Sequence, residues 1–139
     1  CPSANLYIEN ALPNYSIFDI QKLCIGTDSL ASNKKLSILK ELFVLQENSA
    51  FNLNNLLTIA SKNGAEVLGF DLLGSFESGK KPGVILIQNL EKEKITRKTT
   101  VKKLRTVEVL MILKVLKIFR LSLENLYQLI RKKVKRIID

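Results

Sequence analysis

The segment IQKLCIGTDSLASN, residues 20–33, joins a short apolar run to a polar loop. Residues 20–27 have the pattern of a buried β-strand, an element that commonly spans ~4–8 residues. Asp28 follows directly, so we expect its carboxylate at the carboxyl end of that strand. In parallel α/β folds this edge collects ligands and catalytic groups. Asp28 is therefore either a group that binds metal and transfers a proton or a carboxylate that caps the following turn.

The surrounding sequence alternates between helical and extended patterns. Apolar residues recur at helical spacing over residues 35–46, with Ser32 or Asn33 available as the cap, and a second helix is expected over residues 54–62. Asn63-Gly64 either ends that helix or leads into a short segment at 65–68. Glycine turns at 69, 74 and 79 precede a β-rich run at 84–87, whereas residues 1–14 resemble a loop. These patterns indicate an α/β fold.

Composition excludes several classes of site. The chain has 139 residues, a formal net charge of +9 and no histidine. Without histidine it contains neither a Ser-His-Asp or Cys-His centre nor a zinc site that needs imidazole. Two cysteines do not make a disulfide framework, and Cys24, in an apolar run, is expected to be buried. No signal peptide or transmembrane segment is evident, so a cytoplasmic setting is expected.

The basic charge lies in the C-terminal third. Residues 1–90 hold seven Lys and Arg against eight Asp and Glu, whereas residues 91–139 hold fifteen against five. From residue 107 onward apolar side chains recur at helical spacing, with basic residues on the opposite side. This tail is expected to pack on a protein partner, to lie on an anionic membrane surface, or to bind nucleic acid. Few aromatic residues accompany it, so nucleic acid is not the expected partner.

Three ordered motifs resemble the metal-dependent amidohydrolases, in particular the chlorohydrolase and nucleobase or nucleoside deaminase branch. GTDSLASN at 26–33 resembles the signature of the last barrel strand, and CPSAN at 1–5 resembles the loop after the seventh. Residues 60–87 resemble the segment in which the chain leaves the barrel for a small β-domain, although Pro82-Gly83 replaces the family's usual Ala-Asp.

The resemblance implies a (β/α)8 TIM-like barrel that binds one or two divalent metals, usually zinc or iron. Metal-bound hydroxide would attack a carbon–nitrogen bond, with deamination of a small ring substrate as the expected reaction. By position, Asp28 matches the aspartate that binds metal and transfers the proton, and Asn5 matches a residue that often faces the substrate. Ser29 and Ser32 are expected to shape the loop rather than to contact substrate.

The resemblance also implies that the chain is the C-terminal part of a longer hydrolase, here called the parent protein. The histidine ligands and the general-acid glutamate would lie upstream of Cys1, so this chain alone is expected to be inactive. We expect the end of the barrel at 1–62, the return to the β-domain at 63–104 and a basic helical tail at 105–139. A homo-oligomer is compatible with this organisation. The alternative is a non-catalytic binding module that uses the basic tail.

Overall fold

The computed structural model describes residues 1–105. The chain forms two compact units, Cys1–Lys102 and Lys103–Asp139. The predicted helical tail therefore lies outside the described residues, apart from Arg105. The helices are α1 (Pro2–Ile8), α2 (Ile38–Glu47), α3 (Leu53–Ala60) and α4 (Lys62–Val67), the strands are β1 (Val84–Gln88) and β2 (Thr100–Leu104), and two 3₁₀ turns span Tyr15–Ile17 and Ile20–Lys22. No helix within residues 1–105 is long and apolar enough to cross a membrane.

The two predicted helices are confirmed as α2 and α3, with shifted boundaries. The Ser37 hydroxyl caps α2 by accepting the Lys40 N–H at 3.4 Å. The prediction that Ser32 or Asn33 caps α2 is wrong, because those side chains bind Asp28 and Glu41 instead. Helix α3 begins with a reciprocal capping box of asparagines at 52 and 55. After α3 the chain continues into α4, so residues 63 and 64 lie inside a further helix.

The core of the first unit lies between α2 and α3. It consists of six buried apolar side chains: Tyr15, Leu42, Leu45, Leu56, Ile59 and Ile95. Gln46 fixes the last of these from α2, since its side chain donates to the Ile95 carbonyl at 3.0 Å and accepts from the Ile95 N–H at 2.8 Å. This pair of bonds satisfies both backbone groups of a buried residue, which would be costly to leave unpaired.

The predicted strand at residues 20–27 is wrong. The segment begins with the turn Ile20–Lys22, capped by the Asp19 carboxylate, and then continues without regular structure. The Asn63 side-chain amide donates to the carbonyls of Ile20 and Leu23 at 2.6 Å each. The backbone N–H and C=O groups of a strand need hydrogen-bond partners on a neighbouring strand. Here the buried Asn63 side chain bonds two of the carbonyls instead. Cys24, expected to be buried, is exposed on this irregular segment.

The predicted loop at residues 1–14 is also wrong in its first half, which forms α1. Proline occupies the start of this helix, where its fixed φ angle suits helical geometry and its missing N–H costs nothing. Pro2 and Ala4 are buried, whereas Leu6, Tyr7 and Ile8 at the far end are exposed. Helix α1 is therefore anchored through its first turn, which precedes Asn5.

The strand predicted at residues 84–87 is confirmed as β1, so the change to Pro82-Gly83 leaves it intact. It pairs with β2 in a two-stranded sheet, the only sheet within residues 1–105. Glycines 69, 74 and 79 have φ angles of +70°, +87° and +85°, which confirms the predicted turns between α4 and β1.

Two of these turn glycines should respond differently to alanine. A Cβ at Gly74 would lie 2.8 Å from the Ala65 Cβ and 3.0 Å from the Lys62 Cα, whereas at Gly69 it would meet nothing within 4 Å. We expect Gly69→Ala to destabilise by about 1–2 kcal/mol from the left-handed backbone alone. Gly74→Ala should add the overlap with α4, about 1–3 kcal/mol more. Denaturant unfolding of the parent protein measures both, and equal losses would contradict the expected overlap.

Candidate functional site

Asp28 opens a tight polar turn. Its φ angle is +56°, a left-handed conformation that aspartate tolerates better than most residues. One carboxylate oxygen accepts the Ser32 hydroxyl at 2.7 Å. The Ser29 carbonyl accepts the N–H groups of Ser32 and Asn33 at 3.2 Å and 2.9 Å, which closes the turn behind the carboxylate. The capping role considered from the sequence is thus present in the structure, and Ser32 shapes the loop.

The hydrogen bonds of the turn act on the ionisation of Asp28. The Ser32 hydroxyl, and after it the Ser29 N–H, lower the pKa of the Asp28 carboxyl below its ordinary value, because both donate to the charged form. The residue is exposed. Asp28 is therefore an ionised carboxylate at neutral pH that solvent reaches, a state in which it can accept a proton or bind a cation.

A buried carboxylate lies behind this turn. Glu41, on α2, has no exposed surface. One of its oxygens accepts the Asn33 side-chain amide at 2.8 Å, and the other accepts the Ser3 backbone N–H at 2.7 Å. The same Asn33 amide nitrogen also donates to the Thr27 carbonyl at 2.8 Å. Glu41 thereby connects the residue before Asp28 to the first turn of α1.

The other predicted site residue, Asn5, lies on α1 and is half-buried. It lines a cavity of about 120 Å³ whose walls are mainly apolar and include Tyr15, Phe18, Ile25 and Leu45. Asp28 is not among the lining residues. The structure therefore does not bring Asn5 and Asp28 into one cavity.

The donors present do not form a metal site by themselves. Within residues 1–105, no group of three or more His, Cys, Asp or Glu side chains could hold a metal ion. Asp28 offers a single carboxylate, one oxygen of which already accepts the Ser32 hydroxyl. A divalent metal in a protein site takes several ligands, so these residues do not fit a complete centre.

Glu41 is a residue of this hydrogen-bonded assembly that was not predicted from the sequence. An acidic residue in an amphipathic helix is ordinarily assigned to the solvent face. The available signal was its position: Glu41 immediately precedes Leu42 and stands one turn before Leu45, both of which are core residues. An acid within the apolar stripe of a helix indicates a buried carboxylate that needs partners.

The sequence model of the amidohydrolase family matches residues 2–114, and this segment contains the Asp28 turn, Glu41 and all the residues that line the cavity except Cys1. The chain belongs to the amidohydrolase family, which confirms the resemblance seen in its motifs. Membership of this family implies a TIM-barrel-like fold, whereas the described residues form helices and a two-stranded sheet and do not themselves show the barrel.

Several similar curated proteins carry one name. The chain is 30% identical over 96 residues to a 5-methylthioadenosine/S-adenosylhomocysteine deaminase of Halalkalibacterium halodurans. It is 32% identical over 96 residues to proteins of the same name from Bacillus cereus and Bacillus anthracis. Each alignment covers 62% of this chain and 22% of the relative, so the chain spans about a fifth of those proteins. No solved structure matches the chain at a significant level.

Proposed function

We propose that the chain is the C-terminal part of a hydrolase of non-peptide carbon–nitrogen bonds, which deaminates a small ring substrate. The observation that carries this proposal is the Asp28 turn, which presents an ionised and exposed carboxylate within the segment that matches the family. The names of the relatives favour a purine nucleoside or a related thioether as substrate.

In this proposal Asp28 transfers a proton. Its carboxylate accepts a proton from the attacking water and passes it to the departing nitrogen, while the water oxygen bonds to the ring carbon and ammonia leaves. Asn5, by its position in the motif at residues 1–5, contacts the ring substrate through its side-chain amide; the cavity it lines here does not include Asp28, so this contact would form only in the parent protein. The divalent zinc or iron that the family implies would require further ligands from the parent protein, beyond the single carboxylate of Asp28.

The test uses the parent protein, expressed from the complete reading frame and purified with its metal content measured. Release of ammonia is followed with 5-methylthioadenosine, S-adenosylhomocysteine and adenosine, while the 139-residue chain is assayed beside it. We expect turnover of at least one substrate by the parent and none by the chain alone. A parent protein that releases ammonia from no ring amine would contradict the proposal.

The alternative, a binding module built on the basic tail, depends on residues 106–139, which lie outside the described residues. No feature of the described part favours it over the hydrolase. A small-molecule substrate and a cytoplasmic setting remain part of the proposal. A parent that binds anionic vesicles or a protein partner but shows no ammonia release would favour the binding module instead.

A further inference from the structure

We propose that Glu41 is a positioning residue for Asp28, an inference that rests on the proposed function. Its buried carboxylate holds the backbone that leads into Asp28 through Asn33, and it holds the first turn of α1 through Ser3. Glu41 does not line the cavity, and the Asp28 carboxylate bonds Ser32 rather than Glu41. Any effect of Glu41 on turnover must therefore pass through Asn33 and Ser3.

The chemistry of the contacts makes Glu41 hard to replace. A carboxylate with no exposed surface is stable only when its oxygens accept hydrogen bonds, and here both partners are donors. The Ser3 N–H belongs to the backbone, so it can only donate a hydrogen bond and cannot turn to present an acceptor. The Asn33 nitrogen divides its two hydrogens between Glu41 and the Thr27 carbonyl, so its orientation serves both contacts at once.

Glu41→Gln changes this arrangement while preserving its shape. Glutamine has one acceptor oxygen, so its amide nitrogen must face either Ser3 or Asn33, and each of these donates. The Ser3 contact is retained if the glutamine nitrogen faces Asn33. Asn33 must then turn its oxygen inward, which removes its nitrogen from the Thr27 carbonyl. The defect consequently falls on the peptide that joins Thr27 to Asp28.

The Ser3 hydroxyl provides a matched control. It is buried and has no hydrogen-bond partner among the described residues, because the contact to Glu41 is made by the backbone N–H. Ser3→Ala therefore retains every bond of the assembly. Asn33→Ala provides a second test variant, since it removes the contacts to Glu41, to the Thr27 carbonyl and from the Lys35 N–H without altering the carboxylate.

The experiment measures kcat and KM for ammonia release by the parent protein carrying Glu41→Gln, Asn33→Ala, both changes, or Ser3→Ala. We expect either test variant to lower kcat by about 10–100-fold, as is typical when the support of a functional group is lost. KM should stay near the wild-type value because α1 keeps its contact with residue 41. The double variant should be no slower than Asn33→Ala alone, and Ser3→Ala should match the wild type.

The outcomes separate this proposal from the one it rests on. Wild-type kcat in both test variants would overturn the positioning role, and the proposed hydrolase would stand if Asp28→Asn is inactive in the same assay. If the fold-losses in kcat of the two single variants multiply in the double variant, and circular dichroism shows less folded protein, the role of Glu41 is merely structural and the inference is overturned. If Glu41→Gln does not fold, Asn33→Ala decides by itself. An inactive wild-type parent would overturn both proposals.

Discussion

Asp28→Asn in the parent protein is expected to lower kcat by about 10²–10⁴-fold, the range that a positioned acid–base group contributes. Asparagine keeps the size of the side chain and an oxygen that can accept the Ser32 hydroxyl, so the turn should survive. Its amide cannot take up a proton at neutral pH, and it is neutral where the carboxylate is charged. The loss should therefore appear in turnover rather than in the amount of folded protein.

Asp19→Asn is the control for this substitution. Asp19 is also an exposed carboxylate that caps a short turn, since it accepts the Gln21 N–H at 3.0 Å. Each substitution removes one negative charge and one carboxylate cap, but only Asp28 lies in the proposed site. Steady-state ammonia release should be close to the wild-type value for Asp19→Asn. If Asp28→Asn also released ammonia at close to the wild-type rate, the role of Asp28 would be turn capping alone.

Local elements with strong periodicity could be predicted from the sequence. Helix α2 follows from apolar residues at helical spacing, α3 follows from the same pattern, and β1 follows from an apolar run after a turn. The turn glycines could be predicted for a related reason, because a left-handed backbone selects glycine locally. Each of these features depends on residues within a few positions of one another.

Features that depend on distant partners could not be predicted in this way. The apolar run at 20–27 has the composition of a strand, but its carbonyls are bonded by Asn63, 40 and 43 residues away in sequence. The partners of Glu41 could not be predicted for the same reason. Ser3 is 38 residues away in sequence, and it bonds through its backbone N–H, which the identity of its side chain does not indicate. Asp28 was first indicated by an expected strand end, but that strand is absent, so the signal that remains is the resemblance of its motif to a known family. The network that holds it became visible only in the structure.

The isolated 139-residue chain is expected to lack a sharp thermal unfolding transition. Within residues 1–105, sixteen large apolar side chains are exposed, among them Ile17 at 74% and Phe76 at 78%, whereas only eight apolar residues are buried, six of them in the core and the other two Ala4 and Ala65. The two-stranded sheet adds little, because sheets this small are marginal in water. The apolar faces of such a piece would be covered by other barrel elements in the parent, where burial of each large apolar side chain contributes about 1.5–3 kcal/mol.

Calorimetry of the chain and of the parent under the same conditions measures this difference, and binding of a hydrophobic dye reports the exposed surface. We expect a broad, weak heat absorption with strong dye fluorescence from the chain, and a cooperative peak with little dye binding from the parent. The exposed group at Val67, Leu68, Phe70, Leu72, Leu73 and Phe76 should supply much of the dye signal. A cooperative transition of the chain alone would instead show that the core around Leu45, Leu56 and Ile59 suffices for independent folding, and that the barrel is not needed to stabilise the Asp28 turn.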